Sequence, residues 1–180
     1  MMTKRLLLVA LLIIGLALVT RAQNDQREIY TVLAYGETAF EPDSWLASAS
    51  ELGTRTTATW RNDAEGALAY LDYLHYDEGI ASEDMDDVFG PRWFDVTLSN
   101  YEGWRELRSC QFEEDLRLHE FSLQFNNLKY TMRYWIQPVE DNTRVLTLFV
   151  LYPNDQLEKL DEYAERLFPG AIACEEPGVG

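Results

Sequence analysis

From Leu128 to Ile136, Leu128, Tyr130, Met132, Tyr134 and Ile136 alternate with Lys129, Thr131, Arg133 and Trp135. Side chains along a strand point to opposite faces in turn, so this spacing predicts a strand with one buried face. Phe121, Leu123 and Phe125 alternate in the same way within Leu116 to Phe125, and Asn126 with Asn127 supplies the turn between the two, which together make a hairpin signature. After a polar stretch from Pro138 to Thr143, Val145 to Tyr152 is apolar on both faces and reads as a central strand. Pro153 ends it, and Asn154 or Asp155 is placed to cap a helix, in which Leu157, Leu160, Ala164, Leu167 and Phe168 recur at helical spacing until Pro169 and Gly170. Trp93 to Leu98 and Trp104 to Gln111 are further strand candidates, separated by the turn-like Ser99 to Gly103.

The first half of the chain is patterned less cleanly. Tyr30 to Tyr35 reads as a strand, and Asp43 to Leu52 as a short helix capped by Asp43 and ended by Gly53. Thr54 to Trp60 is rich in threonine and favours a strand. Ala67 to Tyr76 fits either period, and the turn-like link from Arg61 to Gly66 favours a strand paired as a hairpin. Ser82 to Phe89 reads as a short helix capped by Ser82, with Gly90 and Pro91 as its stop. The predicted class is α+β: an antiparallel β-meander sheet packed by a C-terminal amphipathic helix and by short helices from the N-terminal half.

Ahead of all this, Lys4 and Arg5 precede an apolar run from Leu6 to Val19, followed by Thr20, Arg21 and Ala22. That layout is a secretory signal peptide over residues 1–22. The competing reading is an N-terminal anchor, but 14 helical residues reach only about 21 Å against a hydrocarbon core of about 30 Å. Either way the downstream chain is expected outside the cytoplasm, secreted or in the cell envelope. It touches the membrane only if residues 6–19 stay as an anchor. Residues 23–28 form a flexible polar segment, residues 29–174 a single domain, and residues 175–180 a loose tail.

Export changes the reading of charge and of cysteine. The leader holds three of the 15 basic residues and none of the 31 acidic ones, so removing it takes the net charge from −16 to −19. Such a chain repels phosphate backbones and anionic lipid, which argues against nucleic-acid partners and leaves an unidentified protein partner or small ligand. Cys110 and Cys174 are the only cysteines. In an oxidising compartment the pair reads as a disulfide, the alternative being two unpaired thiols.

Candidate chemistry is sparse. The sequence holds no GxSxG, HExxH or CxxC motif, no phosphate-cradling glycine loop and no EF-hand loop, so no metal site and no cofactor is expected. His75 with Asp77 and Glu78 is the one catalytic candidate, an imidazole beside carboxylates, followed by the acids Glu83, Asp84, Asp86 and Asp87. A solvated acidic loop is the competing interpretation. His119, the other histidine, lies in a separate element. The ligand-binding candidates are Arg133 and Trp135, which share a strand face with Lys129 and Thr131 and are expected to be partly exposed.

An exported precursor with a strand hairpin, a helical insertion, a meander through Tyr130 to Ile136 and Val145 to Tyr152, and a closing helix from Asp155 to Phe168 resembles the PsbP/Mog1-like α/β sandwich. The resemblance is one of element order over about 120 residues and implies an accessory protein that binds larger assemblies. No functional motif of that family is matched residue by residue, so no site carries over. Three functions stand as expectations: a non-catalytic extracytoplasmic binding or accessory domain, a domain gripping a glycan or apolar ligand on an aromatic sheet face, and a hydrolase-type enzyme using His75.

Overall fold

A computed structural model of the chain describes Ile29 and residues 32–36, 39–41, 43–139 and 142–175. The leader at 1–22, the polar segment at 23–28 and all of the tail but Glu175 lie outside the described residues. Among the described residues no helix is long and apolar enough to cross a membrane.

Among the described residues seven strands form one antiparallel sheet: β1 (Leu46–Leu52), β2 (Arg55–Asn62), β3 (Ala67–His75), β4 (Glu102–Gln111), β5 (Arg117–Phe125), β6 (Leu128–Val139) and β7 (Arg144–Pro153), in the spatial order β1-β2-β3-β7-β6-β5-β4. The chain builds β1 to β3 by tight hairpins, crosses to the far edge, and walks back through β4 to β7 until β7 pairs with β3. The helical residues 32–36, here α1, and α4 (Leu157–Leu167) cover one face. The crossing segment carries the helices α2 (Met85–Val88) and α3 (Pro91–Thr97), which cover the other.

Both faces of the sheet are therefore buried in their central part, giving three layers. Beneath α1 and α4 lie Trp45, Trp60, Trp135, Leu148, Tyr152 and Phe168. Beneath α2 and α3 lie Phe121, Met132, Tyr134, Ile136 and Phe149, with Met85, Phe89, Phe94 and Leu98 reaching down onto them. β7 contributes to both clusters, Val145, Phe149 and Leu151 to one and Leu146, Leu148 and Val150 to the other, as its two apolar faces require. α1 approaches the sheet so closely that a Cβ on Gly36 would stand 2.2 Å from Trp60 Cζ2, so only glycine fits there. The β5–β6 turn uses Asn126 and Asn127 at φ of 50° and 64°, a left-handed pair that suits a two-residue hairpin.

Three expectations are corrected. The described part of Tyr30 to Tyr35 is helical rather than extended. Asp43 to Leu52 yields strand β1 instead of a helix, because Gly53, at φ 65°, turns the chain into β2 rather than ending a helix. Trp93 to Leu98 belongs to a helix and its cap, since Pro91 stands at its first turn and helical spacing puts both Phe94 and Leu98 on the sheet. The expected caps are also absent. The Ser82 hydroxyl bonds Asp115, Asn154 Oδ1 accepts from Thr131 Oγ1 at 3.0 Å, and neither Asn154 nor Asp155 caps α4 through its side chain.

Cys110 on β4 and Cys174 beyond α4 stand at disulfide distance, with Cα atoms 5.7 Å apart across 64 positions of sequence. The bridge ties the β4 edge to the segment beyond the last helix.

Candidate functional site

Arg133 and Trp135 point from β6 toward α4, and this geometry corrects the expectation of a partly exposed face. Trp135 is fully buried, stacks on Phe168 with ring centroids 4.9 Å apart, and donates from Nε1 to the Ala171 carbonyl at 2.9 Å. Arg133 donates from Nε to Glu120 Oε1 at 3.1 Å and pairs through Nη2 with Asp161 Oδ1 on α4 at 2.6 Å, while Glu120 also takes Arg108. Polar alternation at Lys129, Thr131 and Arg133 suggested an open face. The landing of α4 converts its far end into core, and the guanidinium is neutralised by carboxylates rather than free for a ligand.

His75 ends β3 opposite Arg144, with Nε2 3.3 Å from Asp77 Oδ1 in an exposed turn. Glu78, Glu83, Asp84 and Asp87 are exposed, and Asp86 pairs with Arg117 at 2.9 Å. Among the described residues no three His, Cys, Asp or Glu side chains are grouped to hold a metal ion. The structure thus brings His75 and Asp77 together but encloses neither. Asp72, on the same strand, is buried. Burial pushes its carboxyl up, against the pull of Arg55, whose Nε donates to Oδ1 at 2.7 Å.

Among the described residues two clefts open on the α2/α3 side of the sheet. The smaller, of about 390 Å³, lies between α3 and the β4–β5 ladder. His119 and Glu106 line it, with His119 Nδ1 2.7 Å from Glu106 Oε1 and the imidazole packed against Phe94 at 4.7 Å. A register shift between Glu106 and Arg108 puts Glu106 and Ser109 on one face of β4, which is why a pair 13 positions apart meets. Sequence spacing places His119 in its strand without joining it to Glu106. A bulge leaves no local signal that would do so. The Arg117 guanidinium in this cleft is spent: it donates to Asp86, to the Asp115 carbonyl at 3.0 Å and to the Ser82 carbonyl at 3.1 Å.

The larger cleft, of about 680 Å³, lies where the β2–β3 turn, the β5–β6 hairpin and the chain entering β4 converge. Leu68, Tyr130 and Leu151 form its apolar floor, and Phe125 and Leu128 stand at its mouth, 44% and 57% exposed. Tyr101 packs edge-on against Phe125 with centroids 6.0 Å apart. Burial pushes the Tyr101 hydroxyl up to about 12, so it stays an uncharged donor at neutral pH. The charged lining residues Arg61 and Asp63 pair with each other at 2.7 Å. Asn62, Asn100 and Asn126 supply neutral hydrogen-bonding groups. A concave, largely apolar site of this size with a few polar groups is the usual architecture for holding a small molecule. The sequence signal for it was the exposed apolar pair flanking Asn126 and Asn127, which alternation alone assigns to strand ends.

No protein family matches the chain, and no curated protein matches it. Among solved structures it is similar to LpqN, involved in cell envelope biogenesis of Mycobacterium tuberculosis, at 17% identity over 70% of this chain and 76% of that one, with a TM-score of 0.43. It is also similar to human STARD10, at 11% identity over 75% of this chain and 70% of the other, with a TM-score of 0.27. At these values neither likeness carries information on what the chain binds or does.

Proposed function

We propose that this chain is an exported, non-catalytic binding domain of accessory type, and that it holds an uncharged, largely apolar small molecule in the cleft between the β2–β3 and β5–β6 hairpin ends. The observation that carries this reading is the cleft itself: about 680 Å³, with an apolar floor and Phe125 and Leu128 exposed at its mouth. Single exposed apolar side chains need no explanation, but two beside a concave apolar floor mark a surface suited to being covered. The ligand-holding role moves from the Arg133 and Trp135 face, which the core fills, to the opposite face of the same strand, where Tyr130 lies. Neutral amides and the un-ionised Tyr101 select a ligand with an uncharged polar end, and the mutually paired Arg61 and Asp63 give no net attraction for either sign of charge. The accessory role implied by the PsbP/Mog1-like resemblance fits a domain that holds rather than converts its ligand. The hydrolase reading built on His75, Asp77 and Glu78 lacks comparable enclosure.

Nile red titration tests this. Saturable enhancement and a blue shift of the dye are expected, and Phe125→Asp or Leu128→Asp should weaken binding at least about tenfold, or about 1.4 kcal/mol. Both side chains are exposed, so the melting temperature should hold. Absence of saturable binding, or unchanged affinity in both variants, would refute the assignment.

A further inference from the structure

We propose that β1 is a self-complementary edge through which two copies of this chain pair antiparallel, joining their sheets into one. This goes beyond the cleft and does not depend on it. Among the described residues the sheet ends in two edge strands, and they are built differently. β4 slips register twice against β5, carries Glu102, Arg105, Glu106 and Arg108, and is tied at Cys110 to the segment beyond α4. Bulges and charges are the usual devices that stop an edge from pairing. β1 has none of these bulges: all seven residues pair with β2 without a slip, there is no proline, and Glu51 is its only charge.

The backbone fixes which residues would meet. A two-residue turn at Gly53 and Thr54 closes on the pair Leu52 and Arg55, and the closing pair of such a hairpin is hydrogen-bonded. Alternation then commits the backbone groups of Leu52, Ser50, Ser48 and Leu46 to β2 and turns those of Ala47, Ala49 and Glu51 outward. Only outward residues can bond across the edge, and the register that uses the whole strand sets Ala49 against Ala49 of the second copy. In that register Ala47 faces Glu51, Ser48 faces Ser50 and Leu46 faces Leu52.

The side chains agree with the backbone. Leu46 and Leu52 are 62% and 85% exposed, and this register covers each with the other. Ser48 against Ser50 continues a row of hydroxyls already begun by Ser50 and Thr57, whose oxygens lie 2.9 Å apart. The two Glu51 carboxylates fall four residues apart along the ribbon, roughly 14 Å, beyond the screening length of about 8 Å at physiological salt. A second copy is thus the occupant that supplies leucine at both ends and serine between. A contact ribbon roughly 24 Å long buries well under the about 1,200 Å² of a stable interface, so the pairing is reversible and concentration-dependent.

Sedimentation velocity on the protein expressed from its full reading frame, purified as the cell leaves it, tests the pairing. The mass should move from one copy toward two as concentration rises to about 1 mM. Leu46→Lys combined with Leu52→Lys places like charges opposite each other at both ends and should abolish the shift. Leu46→Lys combined with Leu52→Glu places opposite charges there and should restore it. Far-ultraviolet circular dichroism and the melting temperature report that these exposed substitutions leave the fold intact. A mass that stays at one copy at every concentration would leave the edge to an extended segment of another chain and overturn the proposal. So would a dimer that survives the double-lysine variant, or one that the lysine–glutamate variant fails to restore.

Discussion

Breaking the bridge between Cys110 and Cys174 should remove a large part of the domain's stability. The bond closes a loop across 64 positions, and on the chain-entropy account such a closure restricts the unfolded chain by about 14 cal/mol/K, or about 4 kcal/mol at room temperature. A domain of this kind has about 5 to 15 kcal/mol in total, so the loss is decisive. At about 2 to 4 °C per kcal/mol, the melting temperature should fall by roughly 8 to 16 °C. The assay is urea unfolding followed by tryptophan fluorescence, comparing the oxidised protein, the reduced protein, and Cys110→Ala with Cys174→Ala. Because the constraint acts on the unfolded chain, the variant should also show a steeper denaturant dependence, as its unfolded state exposes more surface. Cys174 is buried against the β5 carbonyl of Leu118, so alanine leaves a small void that adds to the loss. A change under about 1 kcal/mol in both the reduced protein and the variant would refute the entropic reasoning.

Two further changes probe the packing of α4 and the β2–β3 turn against the sheet. Trp135→Ala removes a buried indole that stacks on Phe168 and bonds the Ala171 carbonyl, and should cost about 3 to 5 kcal/mol in chemical denaturation; a loss below about 1 kcal/mol would place Trp135 on an open face after all. Glu65, in the β2–β3 turn, accepts from the Tyr152 hydroxyl at 2.8 Å and from Lys159; burial pushes its carboxyl up, but those two bonds outweigh it and hold the group below its usual value. A lowered folded-state value contributes stability above the unfolded value, near 4.3, and loses it as pH falls through the folded one. Glu65→Gln should therefore cost about 1 kcal/mol at neutral pH, discounted for the exposure of Lys159, with the difference closing as pH falls through the lowered folded-state value. A pH-independent difference would show that the carboxylate charge is not what matters.

Strand alternation exposed β5, β6 and β7 because each element's pattern is set by what lies directly above and below it, and α4 was readable from Leu157, Leu160, Ala164 and Leu167 for the same reason. The misreadings fell where a distant element decided the outcome. Leu46 to Leu52 is rich in alanine and leucine and suits a helix locally, but pairing along the whole of β2 overrides that preference. Trp93 to Leu98 has β-forming side chains, yet the chain must cross the sheet there, and a helix places Phe94 and Leu98 onto Phe121 and Tyr134. Arg133 and Trp135 carried the pattern of an exposed face because neither Glu120, 13 positions away, nor Asp161 on α4 could be placed beside them from spacing. The cleft was hidden for a related reason: it belongs to no single element and appears only where two hairpin ends and the entry to β4 converge.

One of those hairpin ends, the β2–β3 turn, is held in place by the rest of the fold. The Glu65 backbone carbonyl accepts from Gln156 Nε2 at 3.2 Å, and its amide donates to Asn62 Oδ1 at 3.2 Å, so the β2–β3 turn is fixed to the start of α4 on one side and to its own strand on the other. A wall pinned in this way loses little freedom when the site is filled. Amide chemical-shift mapping during a Nile red titration tests the binding-domain reading most directly. Shifts concentrated at Gly66, Leu68, Tyr101, Phe125 and Leu128 are the predicted result. No saturable shifts there, or shifts centred on Glu106, Ser109 and His119, would contradict it.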